Sequence, residues 1–198
     1  MELKSKQCWI FDMDGTLTVP VHDFSYIRSE LAIPPDEDIL THIHGLAEAD
    51  AVARHARLWE IEKELAQLAV ASAGALDLLS FLYEAGARLG ILTRNDREIA
   101  QLTLETIGAA VFFLPEDIIG RAEAAPKPHP GGVLLLLGNW DAEPDQAVVV
   151  GDYLYDLQAG RSAGATTVHL ARPDGQLWPD YADLTVATLA ELLGMLRP

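Results

Sequence analysis

The sequence is short of three things, and each shortage closes a route. It holds one cysteine, Cys8, so no disulfide can form within the chain and no cysteine-based zinc site can be built. Cys8 itself stands in an apolar run and reads as a small buried residue. No uninterrupted apolar stretch is long enough to span a bilayer. The run behind Lys4 and Lys6 is too short for a secretory leader, so a cytoplasmic protein is expected. Positive charge is scarce as well: 14 lysines and arginines face 30 acids, for a formal net charge of −16. A field of that sign repels nucleic-acid phosphates and anionic lipid headgroups, so neither is an expected partner. An anionic small molecule meets the same field. A site for one needs a metal ion or a few well-placed cations of its own.

What remains is an ordinary globular composition, 49% hydrophobic and 22% charged over 198 residues. That suffices for one substantial core and a small accessory domain. Short apolar runs at 7–11, 87–92, 110–114, 147–150 and 166–170 are bounded by polar or glycine residues. Strands buried on both faces of a parallel sheet read this way, and 183–186 adds a sixth. Between them lie helical patterns at 75–84, 131–137, 154–163 and 189–196. Another runs from Asn95 to about 107, where Asn95 reads as an N-cap and Glu98 completes a capping box. Strands alternating with helices predict a doubly wound, Rossmann-like α/β sheet. Residues 18–72 break the alternation with three helical patterns, at 24–31, 36–43 and 47–71, punctuated by Pro34-Pro35 and Gly45. The expected organisation is an α/β core of residues 1–17 and 73–198, with a helical cap of residues 18–72 inserted after the first strand.

In an open α/β sheet, ligands bind beyond the carboxyl ends of the strands. Asp12 and Asp14 follow the first run, Thr93 the second, and Asp152 and Asp156 the fourth, while Lys127 sits in the loop Ala125-Pro126-Lys127-Pro128. Each has a bland reading: Asp before Gly turns a chain, and Asp152 is a plausible helix cap. Together the acids would repel one another unless a divalent cation sat among them. An all-oxygen set suits Mg²⁺ rather than zinc. His22, His42, His44 and His55 form no convincing ligand set and read as structural or surface residues.

The stretch Asp12-Met13-Asp14-Gly15-Thr16 resembles the first motif of the haloacid dehalogenase superfamily, and Ile91-Leu92-Thr93 resembles its second. Lys127 is similar to the third, and Gly151-Asp152-Tyr153-Leu154-Tyr155-Asp156 to the fourth. The four occur in the family's order, and the resemblance spans Trp9 to Leu170. The helical insert looks like a small version of the cap of phosphoglycolate phosphatase-like members. The resemblance implies that Asp12 is a nucleophile forming an aspartyl-phosphate, and that Asp14 protonates the leaving oxygen and then activates water. It implies Mg²⁺ held by Asp12, the main-chain carbonyl of Asp14 and Asp152, with Asp156 in support. Thr93 and Lys127 would hold the phosphoryl oxygens, and Arg94 and Asn95 are the best-placed further substrate contacts. Tyr153 departs from the pattern, standing where the family often has a small residue.

The reading is therefore a Mg²⁺-dependent phosphatase acting on a small phosphorylated metabolite. A dehalogenase has little need of Asp14 or a metal site. A phosphomutase shares all four motifs but needs a cap that excludes water. A pyrophosphatase or nucleotidase stays open. A phospho-acceptor switch of the receiver type places its phosphorylated Asp after a later strand and lacks an insert, and an inactive binding protein would have lost one of the polar groups. A monomer is expected, since no long apolar face is left over.

Overall fold

In the computed structural model of the chain, residues 3–21, 23–173 and 175–197 are described. The apolar runs become strands β1 (Cys8–Phe11), β2 (Arg88–Leu92), β4 (Ala147–Gly151), β5 (Thr166–Leu170) and β6 (Leu184–Val186), joined by the two-residue β3 (Ile118–Ile119). They form one six-stranded sheet in the order β3-β2-β1-β4-β5-β6. Every neighbouring pair is parallel, and Phe11 lies beside Ile91 on one side and Val150 on the other. All four residues of β1 are buried because successive side chains face opposite layers and both layers are covered.

Helices α4 (Ala75–Glu84), α5 (Arg97–Thr106) and α8 (Leu189–Leu196) cover one face, where Leu79, Leu104 and Leu192 join Trp9, Phe11 and Val150 in a single apolar cluster. On the other face α6 (Gly131–Trp140) and α7 (Leu154–Ala163) close over Cys8, Ile10 and Val149. Helix α6 runs three residues past the expected end because Trp140 is buried, its indole donating to Asp117 at 2.8 Å. Each fully buried side chain of this size contributes about 1.5–3 kcal/mol, so the two layers anchor the sheet.

The run at 110–114 is not a strand. It forms a 3₁₀ turn, Ala110–Phe112, that leaves Val111 and Leu114 75% and 54% exposed. The pairing falls to Ile118 and Ile119, whose side chains are both buried, once Pro115 and a second short turn have redirected the chain. Asn95 is not the cap of α5 either. Asp96 takes that role, its Oδ1 accepting from the Glu98 amide at 3.0 Å.

Residues 18–72 carry α1 (Phe24–Glu30), α2 (Ile39–His44) and α3 (Glu48–Gln67). These enclose their own apolar cluster of Ile27, Leu31, Ile33, Leu40, Ile43, Leu58 and Ile61. Asp23 and Asp38 cap α1 and α2 through side-chain bonds to the amides of Tyr26 and Thr41. The chain leaves and rejoins the sheet region along two adjacent segments. Val19 N–H donates to Val70 O and Ser72 N–H to Leu17 O, both at 2.8 Å, around an antiparallel Thr18–Ala71 bridge. Helix α3 packs against α5, and Arg121, two residues past β3, pairs with Glu62 of α3 at 2.7 Å.

Candidate active site

The sheet order reverses between β1 and β4, and the carboxyl ends of those two strands form the crevice at the switch point. Asp12 leaves β1 with its amide bonded to Val150 O at 3.0 Å, so it stands level with the end of β4. The tight turn that follows depends on Gly15, whose φ of +87° suits glycine. A Cβ on Gly15 would also collide with the carboxylate of Asp152 and the guanidinium of Arg172. Gly151 is needed for the same reason: a Cβ there would overlap the carboxylate of Asp156.

Oxygens of Asp12, Asp152 and Asp156 lie within 4.8 Å of one another. Lys127 is buried among them, its Nζ 2.5 Å from Asp12 Oδ1 and 2.6 Å from Asp156 Oδ1. Burial works to lower the Lys127 pKa, and the charges of Asp12 and Asp156 overcome it, so the ammonium is held charged beyond its usual range. Burial, and then the charge of Asp12, pushes Asp152 up to about 6. Burial dominates at Asp156 too, raising it to about 7 against the pull of Lys127. Asp156 has both oxygens engaged, one by Lys127 and the other by the Tyr153 amide at 3.0 Å, so it fixes its neighbours.

The donor set fits a hard divalent cation. It is made of carboxylate oxygens, burial and then the charge of Asp12 raise two of its carboxyl pKa values, and glycine keeps the adjoining space clear. Asp14 is not among the three clustered carboxylates, and the family resemblance implies a metal role for it only through its main-chain carbonyl. Its carboxylate accepts from Asn95 Nδ2 at 2.6 Å. Thr93, 3% exposed, directly follows β2 with its amide on Ile119 O, and its hydroxyl accepts from the Asn95 amide at 3.1 Å.

Arg94 and Asn95, both candidates for substrate contact, have protein partners. Asn95 holds Asp14, while Arg94 forks onto both oxygens of Asp38 at 2.8 Å and lies 5.2 Å above the centre of the Tyr155 ring. Two further residues at the rim are absent from the sequence-based set. Thr16 donates to Asp12 Oδ2 at 3.2 Å, and Arg172, two residues beyond β5, pairs with Asp152. Arg172 was open to the same strand-end rule that found the acids; Asp38, 56 residues from Arg94, carried no signal beyond a helix start. His42 pairs with Glu37 and His44 meets His55 edge-on inside the insert, while His22 lies outside the described residues.

A pair of acids closing the first strand and a second pair answering from the fourth is an arrangement that a sheet of this order offers at its switch point. The chain belongs to the haloacid dehalogenase-like hydrolase family, which it matches over residues 7–164. Among curated proteins it is 31% identical over 192 residues to a haloacid dehalogenase-like hydrolase domain-containing protein of Arabidopsis thaliana, covering 91% of this chain and 76% of that one. It is also 31% identical over 190 residues to a phosphoglycolate phosphatase of Rhodospirillum rubrum, covering 80% and 77%. Among solved structures, a hydrolase from Pseudomonas syringae shares the fold, with a TM-score of 0.79 at 21% identity over 96% of this chain and 98% of that one.

Proposed function

We propose that this chain is a magnesium-dependent phosphatase that hydrolyses small phosphate monoesters through an aspartyl-phosphate on Asp12, with residues 18–72 acting as a cap over the site. The observation that carries the reading is Lys127, a buried cation set against both Asp12 and Asp156 at the switch point of an otherwise acidic protein. It gives a phosphate dianion a local positive charge where the global field offers none.

The chemistry divides among named side chains. An Asp12 carboxylate oxygen attacks phosphorus, and the bond from phosphorus to the leaving alcohol's oxygen breaks. Asp14, oriented by Asn95, hands that oxygen a proton. Asp14 then takes a proton from the water that attacks the aspartyl-phosphate, the bond to Asp12 breaks, and inorganic phosphate leaves. Thr93 and Lys127 hold the phosphoryl oxygens, whose charge is spread in the transition state. Asp12, Asp152 and the Asp14 carbonyl would hold magnesium, which when bound supplies the positive charge that lets a carboxylate approach a phosphate dianion. The Arg94–Asp38 pair supports the cap assignment, because it ties the residue after Thr93 to the insert.

Turnover of p-nitrophenyl phosphate tests this directly. Release is expected with Mg²⁺, to stop with EDTA, and to fall by about 10³-fold or more in Asp12→Asn, the scale of losing a covalent nucleophile. Phosphorylation of Asp12 without release of phosphate would overturn the phosphatase reading.

A further inference from the structure

Tyr153 directly follows Asp152 and is 51% exposed, yet its ring is not loose. It meets Tyr155 edge-on, centroids 5.0 Å apart at 87°, and Trp178 likewise at 5.4 Å and 77°. Trp178 leans in turn on the buried ring of His169, 4.9 Å away. Tyr155 carries the guanidinium of Arg94, the residue after Thr93, over its ring. The aromatic groups therefore run from the residues after β4 to the segment beyond β5, with Arg94, after β2, joined to them through Tyr155. A half-exposed tyrosine is commonplace. One braced on two sides, next to a clustered carboxylate, is a fixed wall with open ring surface.

Such a wall suits a particular leaving group. Tyrosine offers a large, rigid, amphipathic surface with little rotamer freedom to lose, and its ring face attracts C–H groups and ring edges. The charges beside it favour a neutral group. Arg94, the arginine that follows β2, is already paired with both oxygens of Asp38. A second anion on the substrate would have to displace that carboxylate.

We propose that Tyr153, braced by Tyr155 and Trp178, determines leaving-group specificity: the site takes phosphate monoesters whose alcohol carries a ring, a cyclic sugar or an aryl group. Acyclic esters of two or three carbons, and esters bearing a carboxylate, are the poorer substrates. The inference rests on the phosphatase reading and adds a substrate class to it.

The test compares kcat/KM for glucose 6-phosphate, phenyl phosphate, glycerol 3-phosphate and phosphoglycolate in the full chain with Mg²⁺, for wild type, Tyr153→Phe and Tyr153→Ala. Glycerol 3-phosphate is the neutral acyclic control, and phosphoglycolate adds the carboxylate. The two ring esters are expected to be preferred about tenfold or more over glycerol 3-phosphate, the scale of one aromatic stacking contact. Tyr153→Ala should erase most of that preference through KM, and Tyr153→Phe should keep it. If Tyr153→Ala does not fold, Tyr153→Leu, which keeps apolar bulk without a ring, decides the same question. Phosphoglycolate or glycerol 3-phosphate turned over as well as the ring esters, or a preference unmoved by removing the ring, overturns the inference and leaves the phosphatase reading standing. Activity on none of the four defeats both. A preference for the sugar ester alone or the aryl ester alone supports the wall and narrows the class.

Discussion

Lys127 holds together a rim that would otherwise push itself apart. It is buried against Asp12 and Asp156, with Asp152 close by. Removing one partner of a buried ion pair costs about 3–5 kcal/mol, because the charges left behind have neither water nor a counter-ion. Lys127→Met is therefore expected to destabilise the metal-free protein by about that much near pH 8, read by urea unfolding. The sign of the pH effect follows from the acids. Asp152 and Asp156 have folded-state values raised to about 6 and about 7, above the unfolded value of 3.8. Their protonated forms favour the fold, a contribution complete below pH 3.8 and lost as pH rises through the 6–7 window. The metal-free protein should melt lower at pH 8 than at pH 5, Mg²⁺ should restore the difference mainly at pH 8, and the Lys127→Met penalty should shrink at pH 5. Equal melting temperatures at the two pH values in EDTA would contradict the raised carboxyl values. Asn95 is the other residue with a separable role. If it orients Asp14, Asn95→Ala should lower kcat about tenfold or more while KM stays nearly constant, since aim and not substrate affinity is lost.

At the scale of elements, the strands that place the site were legible because each is apolar at nearly every position and ends abruptly in a polar residue. Phe11 to Asp12, Leu92 to Thr93 and Gly151 to Asp152 are all such endings. The strand missed was β3, where two isoleucines make an edge that gives no periodic signal, while Ala110 to Leu114 imitates a strand and lies outside the sheet. Asn95 shows a different limit. The same side chain suits a helix cap and a bond to a carboxylate, and only the fold brings Asp14, 81 residues away, within reach. Asp38 likewise does two jobs, capping α2 and receiving Arg94. Asp38→Asn keeps a capping oxygen and removes the charge, so α2 should persist while the tie to the core weakens. Faster hydrogen exchange across 39–44, with a stability loss under about 1 kcal/mol as befits a partly exposed pair, is the expected outcome. Unchanged exchange would mean that α3 against α5 holds the insert by itself.

For the molecule as a whole, a formal charge of −16 surrounds a site that we assign to an anion. Charge opposes the approach of substrate while Lys127, being buried, is shielded from salt. Raising monovalent salt from about 10 mM to about 100 mM shortens the screening length to about 10 Å, so KM for a phosphate ester should fall with kcat unchanged. A rising KM would instead mean that the local positive charge governs the approach. The sequence announced the acidity, three strand-end motifs and the Lys127 loop, and Thr16, four residues from Asp12, lay within reach of the same local reading. The pairing of Arg172 with Asp152 needs β5 beside β4, and that of Arg94 with Asp38 depends on how residues 18–72 settle against the core, neither of which a local pattern records.

Leu17–Val19 and Val70–Ser72 run side by side, bonded to each other where the chain departs from the sheet and where it returns. Seen from the sheet, the covalent path to everything between them passes through one doorway scarcely wider than a hairpin. A helical module of another size would enter by the same doorway, leaving the strands that carry the acids in place, and would have to replace the seat of α3 against α5 and the hold of Arg94 on Asp38.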